Sequence, residues 1–192
     1  MTAAPEPRAR DSAEIAVVGA GQAGLAIGYF LKQQARKFTI LERAGALAPA
    51  WRERWESLTL FTPRRYSALP GLPFPGDPDG YPARNEVLAY LERYAQAFAL
   101  PIQLASEVTR LDDGFRLELT DGSTLAAAQV VVATGPFQSP YVPAASQRLD
   151  VFQTHAVGYR RPGDVPGGTV LVVGGGNTGF QLAKELSATH GV

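Results

Sequence analysis

Residues 15–42 read IAVVGAGQAGLAIGYFLKQQARKFTILE, and the order of residue types in this stretch decides the fold. Ile15, Ala16, Val17 and Val18 are apolar without alternation, the pattern of a parallel strand covered by helices on both faces. Gly19, Gly21 and Gly24 follow as G-x-G-x-x-G. Glycine at these three places serves a tight turn, a close approach of backbone to a pyrophosphate, and close packing of helix on strand. From Ala23 the apolar positions Ala23, Ala26, Ile27, Phe30 and Leu31 recur at helical spacing, which predicts one face packed on a sheet. Such a helix turns its free N–H groups and the positive end of its dipole toward phosphates. Lys37 to Leu41 predicts a second strand. Glu42 closes it at the place where this arrangement sets a carboxylate to accept hydrogen bonds from a ribose.

The bulk composition narrows the partners. Lys plus Arg and Asp plus Glu both number 18, a balance that gives no reason to invoke nucleic acid or an anionic membrane surface. There is no cysteine, hence no disulfide framework, thiolate metal site or redox-active thiol pair. A length of 192 residues suits one domain, or at most two. Residues 1–13 are polar with Pro5 and Pro7 and are expected to form a disordered tail. Neither an apolar leader nor a membrane-spanning run is seen, and the expected location is the cytoplasm.

After Glu42 the chain is rich in Pro, Gly and Arg, as in a long functional loop. Trp51 and Trp55 stand four apart, so on a helical turn they would share a face; they read either as the wall of a flat ring system or as an ordinary aromatic pair under a loop. Asn85 offers an N-cap to a helix with the stripe Val87, Leu88, Leu91, Tyr94, Ala95 and Phe98. From Ile102 the period becomes two. Phe115, Leu117 and Leu119 alternate with polar residues, and Asp113-Gly114 and Asp121-Gly122 read as hairpin turns of a small antiparallel meander. Gln129 to Ala133 returns to an apolar strand ended by Thr134-Gly135-Pro136. Thr169 to Val173 gives another, followed by a second G-x-G-x-x-G at Gly174, Gly176 and Gly179 and a helix beginning near Asn177. Two cradles suggest two dinucleotides. The sequence stops at Gly191-Val192, where the second strand of this second unit is expected, so that unit reads as incomplete.

This order of motifs resembles the flavin-containing monooxygenase family and its bacterial relatives. The matching pieces are GAGQAG (19–24) with Glu42, WRERWESLTLFTP (51–63), YPARNEVLAYLERYA (81–95), ATGPFQSP (133–140), HAVGYRRP (155–162) and GGGNTG (174–179). The family signature F-x-G-x-x-x-H-x-x-x-Y is kept at His155 and Tyr159, while Leu149 and Val151 replace its first half. The resemblance implies an α/β protein: a Rossmann-like FAD-binding domain over 14–165, in which a parallel sheet carries an antiparallel meander, and the first βα unit of an incomplete Rossmann NAD(P)-binding domain over 166–192. It also implies FAD held by Gly19, Gly21, Gln22, Ala23, Gly24, Glu42 and Arg43, with Trp51, Thr62, Val108, Ala133, Thr134 and Gly135 around it. Gly174, Gly176, Asn177, Thr178 and Gly179 would hold NADP, or NAD. No side chain is assigned as catalytic and no metal is expected.

The implied activity is NAD(P)H-dependent oxygenation, with O2, of a small N- or S-containing or carbonyl substrate through a peroxyflavin; the cofactor carries the chemistry. A non-catalytic FAD-binding fragment, or half of a split assembly completed by another chain or a homo-oligomer, is the alternative. A pyridine-nucleotide disulfide reductase needs a cysteine pair that these residues lack. The incomplete second cradle carries the expectation that the 192 residues alone do not sustain turnover.

Overall fold

The computed structural model describes residue 10 and residues 12–136 and 139–192. The expected tail falls outside the described residues at 1–9 and 11, as do Phe137 and Gln138 of the 133–140 motif. The chain forms two compact units: Met1–Pro49, Ala68–Pro73 and Ala89–Pro136 in one, and Ala50–Ser67, Phe74–Leu88 and Phe137–Val192 in the other.

In the first unit, β1 (Ala13–Val18), β2 (Phe38–Leu41), β3 (Ile102–Gln103), β4 (Val108–Leu111), β5 (Arg116–Leu119) and β6 (Thr124–Val132) make one six-stranded sheet in the order β3-β2-β1-β6-β5-β4. β3, β2, β1 and β6 run parallel, and β6, β5 and β4 antiparallel. The strands from Ile102 therefore do not all belong to the meander, since β3 extends the parallel side against β2. The expected strand at Gln129–Ala133 is the second half of a longer one. β6 pairs with β5 over Thr124–Ala126 and with β1 over Ala127–Val132.

The unbroken apolar run of β1 is buried on both sides, as parallel strands are. Ala16 packs with Leu41, Leu117, Leu119 and Leu125, with Val18 against them, on the meander side. α1 (Gln22–Gln33) covers the other side, but by a different face from the expected one: Gly24, Leu25, Gly28 and Leu31 are buried, whereas Ala23 is exposed and Phe30 is 47% exposed. The missing side chains of Gly24 and Gly28 rotate the helix onto the sheet. A Cβ at Gly28 would lie 2.9 Å from Ile40 Cδ1. Phe115 also departs from the expected alternation. It sits in the β4–β5 turn at φ +54°, exposed, and that turn is tied by the Asp112 carboxylate accepting from Gly114 N–H (3.0 Å) and Arg116 N–H (2.9 Å). At the β5–β6 turn the Asp121 carboxylate accepts from Ser123 N–H (2.9 Å) and from Arg10 (2.7 Å).

The second unit holds the short helices α2 (Pro49–Arg52, entering at Ala50) and α3 (Arg64–Ser67), the first turn of α4 (Arg84–Ala97), and α5 (Asn177–Leu186). α4 starts one residue before Asn85. Its N-terminus is fastened by Glu86 Oε2 accepting from Ala83 N–H (2.8 Å), so Asn85 lies within the first turn and is not the cap. Trp55, Leu58, Tyr159, Leu182 and Leu186 form the core, with Val170 and Val172 packed against it. The run Thr169–Val173 is not a paired strand. One parallel bridge joins Thr169 to Gly191, and Leu171 (85% exposed) and Val173 (78%) face outward. An apolar run becomes a strand only where neighbours bond to it, and among the described residues that single bridge is its pairing.

A candidate nucleotide-binding edge

Three parallel strands of the first unit end at one edge, where open α/β sheets take their ligands. Gly19 follows β1, Glu42 follows β2 and Ala133 follows β6. Gly19 N–H donates to Leu41 O (2.7 Å) and Ala133 N–H to Val18 O (2.8 Å), so the edge is closed by backbone. Gly19 has φ +106°, and a Cβ there would come within 2.5 Å of Ala133 O. Glycine is required on both counts. A Cβ at Gly24 would run into the Gly19 carbonyl oxygen. Gly21 differs: its backbone is extended (φ −79°, ψ −173°), and a Cβ there would meet nothing within 4 Å. That space is left clear by the protein. The first bond of α1 runs from Leu25 N–H to Gly21 O (2.9 Å), so the N–H groups of Gln22, Ala23 and Gly24 precede the helical ladder at its positive end. Clear space beside first-turn N–H groups has the chemistry that suits an anion.

Glu42 is 4% exposed, with its carboxylate directed back to the turn. Oε2 accepts from Ala20 N–H (2.9 Å) and Oε1 from Ala44 N–H (3.0 Å). Ala20 joins the candidate edge by this bond; the sequence reading missed it, because its part is played by backbone and no side-chain pattern signals it. Arg43, Thr134 and Gly135 are exposed, Gly135 at φ +81°. Val108 lies half-buried on β4, packed on the meander core.

The second unit repeats the turn. Gly174 has φ +118°, a Cβ at Gly179 would strike the Gly174 carbonyl oxygen, and Gly176 (φ −84°, ψ 178°) is open on its side-chain face. Phe180 N–H donates to Gly176 O (3.1 Å), and Asn177 and Thr178 are exposed in the first turn of α5. Beneath α5, Gln181 grips the Thr59 backbone, accepting its N–H (3.3 Å) and donating to its carbonyl (2.9 Å).

Trp51 and Trp55 do not share a helix, since α2 ends at Arg52. Trp55 is 2% exposed in the core of the second unit and Trp51 packs against that core. Thr62 Oγ1 is 3.0 Å from Ser67 Oγ. Tyr159 is buried in the same core and donates to Glu185 Oε2 (2.8 Å); burial, then that carboxylate, pushes its hydroxyl well above the usual phenol range. His155 is exposed, its Nδ1 accepting from Val157 N–H (3.2 Å). Among the described residues no cluster of metal-ligating side chains and no helix long and apolar enough to cross a membrane is found. A shallow cavity of about 370 Å³ lies where α1 ends and β2 begins, lined by Lys32, Arg36 and Phe38 among others. Its Lys32 caps the Ala99 carbonyl (2.9 Å) and its Arg36 pairs with Glu14.

Glycine turns at a parallel-sheet edge and at a second helix are features of the Rossmann-type flavoprotein fold. The chain belongs to the pyridine nucleotide-disulphide oxidoreductase family, whose model matches residues 16–191, and its likenesses at 35% identity include flavin monooxygenases. An uncharacterized CzcO-like oxidoreductase of Geobacillus kaustophilus (strain HTA426) is 48% identical over 179 residues, covering 91% of this chain and 51% of the relative. The indole-3-pyruvate monooxygenase YUCCA1 of Oryza sativa subsp. japonica is 35% identical over 91% of this chain and 45% of its own. A solved flavin-containing monooxygenase from Stenotrophomonas maltophilia superposes with a TM-score of 0.85 at 35% identity, over 94% of this chain and 56% of that one. The chain thus spans about half the length of the curated relatives it matches. These 192 residues contain no cysteine, so the thiol pair of a disulfide reductase is not among them.

Proposed function

We propose that this chain carries the flavin-binding part of an NAD(P)H-dependent flavin monooxygenase and the beginning of its nicotinamide-nucleotide cradle. The observation that carries the reading is Gly21, where the protein leaves side-chain space clear beside the free N–H groups of α1. The diphosphate of FAD fits that chemistry: Gly21, Gln22, Ala23 and Gly24 would meet the phosphates by backbone, Glu42 and Arg43 would lie toward the adenosine ribose, and Ala133, Thr134 and Gly135 would border the ligand on the β6 side. Trp51, Thr62 and Val108 complete the assignment by family likeness. Gly174, Gly176, Asn177, Thr178 and Gly179 would hold NADP, in line with the solved steroid monooxygenase relative described as bound to NADP. When bound, the flavin with its nicotinamide reductant supplies electron transfer and oxygen chemistry. The chain's own residues bind, orient and shield. The reading carries with it a small nucleophilic substrate, O2 and a cytoplasmic location.

The test is titration of the flavin-free chain with FAD and with FMN, followed by flavin fluorescence. Saturable binding of FAD, with FMN far weaker because it lacks the diphosphate bridge and adenosine, is the expected result. Equal affinity for the two, or no saturable binding of FAD, would overturn the reading.

A further inference from the structure

We propose that Glu42 is a positioning residue that holds the glycine turn in its ligand-ready form before any nucleotide arrives. The inference rests on the reading of that turn as a nucleotide cradle and adds a role distinct from contact with a ribose. Glu42 bonds to the backbone of four residues. Its N–H donates to Gln103 O (2.9 Å), its carbonyl accepts from Ser106 N–H (2.8 Å), and its carboxylate accepts from Ala44 (3.0 Å) and from Ala20 (2.9 Å). The first two bonds anchor the backbone of Glu42 beside β3, and the third ties its carboxylate to the chain just after β2. The fourth reaches into the turn.

Ala20 N–H belongs to the peptide plane between Gly19 and Ala20, and Gly19 stands at φ +106°, a conformation open to glycine and rarely to other residues. Fixing that plane fixes where Gly21 and the first-turn N–H groups point. The Gly174–Gly176 turn has the same backbone form, so glycine chemistry makes the shape; the Glu42 carboxylate adds restraint on one peptide of it. A carboxylate offers about four acceptor positions, and the Ala20 and Ala44 bonds use two. Holding the turn and accepting from a ribose diol are therefore separate jobs that one side chain can perform, and they can be separated by experiment.

The experiment uses the 192-residue chain and its Glu42→Ala and Glu42→Gln variants, with ADP and 2′,3′-dideoxy-ADP as probes. The second probe keeps the diphosphate and lacks the diol. Positioning predicts that Glu42→Ala weakens 2′,3′-dideoxy-ADP, which has no diol to lose, by about tenfold, the scale of one orphaned buried N–H, and weakens ADP by at least as much. Amide exchange at Ala20 in the nucleotide-free chain should rise as well. Glu42→Gln, which keeps one acceptor oxygen, should fall between parent and Glu42→Ala, and serves alone if the alanine variant does not fold. Loss confined to ADP would overturn the proposal by making Glu42 a ribose acceptor only. Unchanged affinities with a lowered melting temperature would overturn it by making Glu42 a fold residue only. If the parent binds neither probe, the nucleotide reading fails first, and faster Ala20 exchange in the variant then leaves Glu42 a role in the fold alone.

Discussion

At Gly21 a side chain would meet nothing within 4 Å, whereas at Gly24 it would strike the Gly19 carbonyl. The two glycines should therefore fail in different ways. Gly21→Val is expected to cost stability about 1 kcal/mol or less, the scale of a poorer residue at the N-cap of α1, while abolishing FAD binding. Gly24→Val is expected to cost about 1–3 kcal/mol or more through overpacking. Thermal melts and flavin titration of the pair check both. The triplet was legible in the sequence because each glycine is visible there, but which glycine is packed against the fold and which stands open depends on what surrounds it in space. Asp121 gives a pH signature. Its carboxyl is held down to about 2, chiefly by the Ser123 hydroxyl, then by the Ser123 N–H and Arg10. A folded-state value below the unfolded one means that the unfolded chain takes up the proton first. The stabilisation is complete above about pH 4 and disappears as pH falls to about 2. Asp121→Asn should flatten that part of the acid limb in pH-dependent melts; an unchanged limb would remove Asp121 from the account.

Among the elements, α1 shows how a periodicity argument can be right about the helix and wrong about its face. Counting only apolar side chains points to Ala23, Ala26, Ile27, Phe30 and Leu31, while the buried set includes Gly24 and Gly28. Glycine contributes nothing to an apolar count, yet it is what lets this helix approach the sheet. Gly28→Val places new atoms against Ile40 Cδ1 (2.9 Å from the Cβ), Leu100 Cδ1 and Phe38 Cε2 (both 3.4 Å). Its expected cost is about 1–3 kcal/mol, the range for added volume in a filled interface. Chemical denaturation would measure it, and a neutral result would mean that the helix shifts outward at no cost. Thr169–Val173 shows the complementary lesson. Apolar content marks capacity for a buried strand, but strand formation belongs to the partner, and here the paired contact is the bridge from Thr169 to Gly191. Helix starts are similarly hidden, since the N-terminus of α4 is fastened from within its first turn by Glu86 and not by Asn85.

For the molecule as a whole, the order of motifs was readable from end to end because glycine turns and the 133–135 linker are local. The part taken by residues 50–67 and 74–88 was not. Residues 50–67 and 74–84 read as loop, yet they fold with 139–192, where Trp55 and Leu58 share a core with Leu182 and Leu186. The two open glycines predict that ligand losses will divide. Gly176→Val should remove binding of NADP and leave FAD binding as it was, and Gly21→Val should do the reverse. Parallel titrations of both nucleotides against each variant decide this; loss of both ligands in either variant would mean that the cradles are not independent. A different kind of dependence is built into β6. Its first residues belong to a hairpin and its last belong to the parallel sheet, so the strand acts as a measuring rod between them. Sliding it by a single residue would carry Ala133 about 3.3 Å along the strand axis, and the contact that excludes a Cβ from Gly19 would be lost. Deleting one residue at the Gly122 turn, in a loop far along the sequence from any glycine of the first cradle, is thus a way to blur that cradle while leaving every residue of it in place.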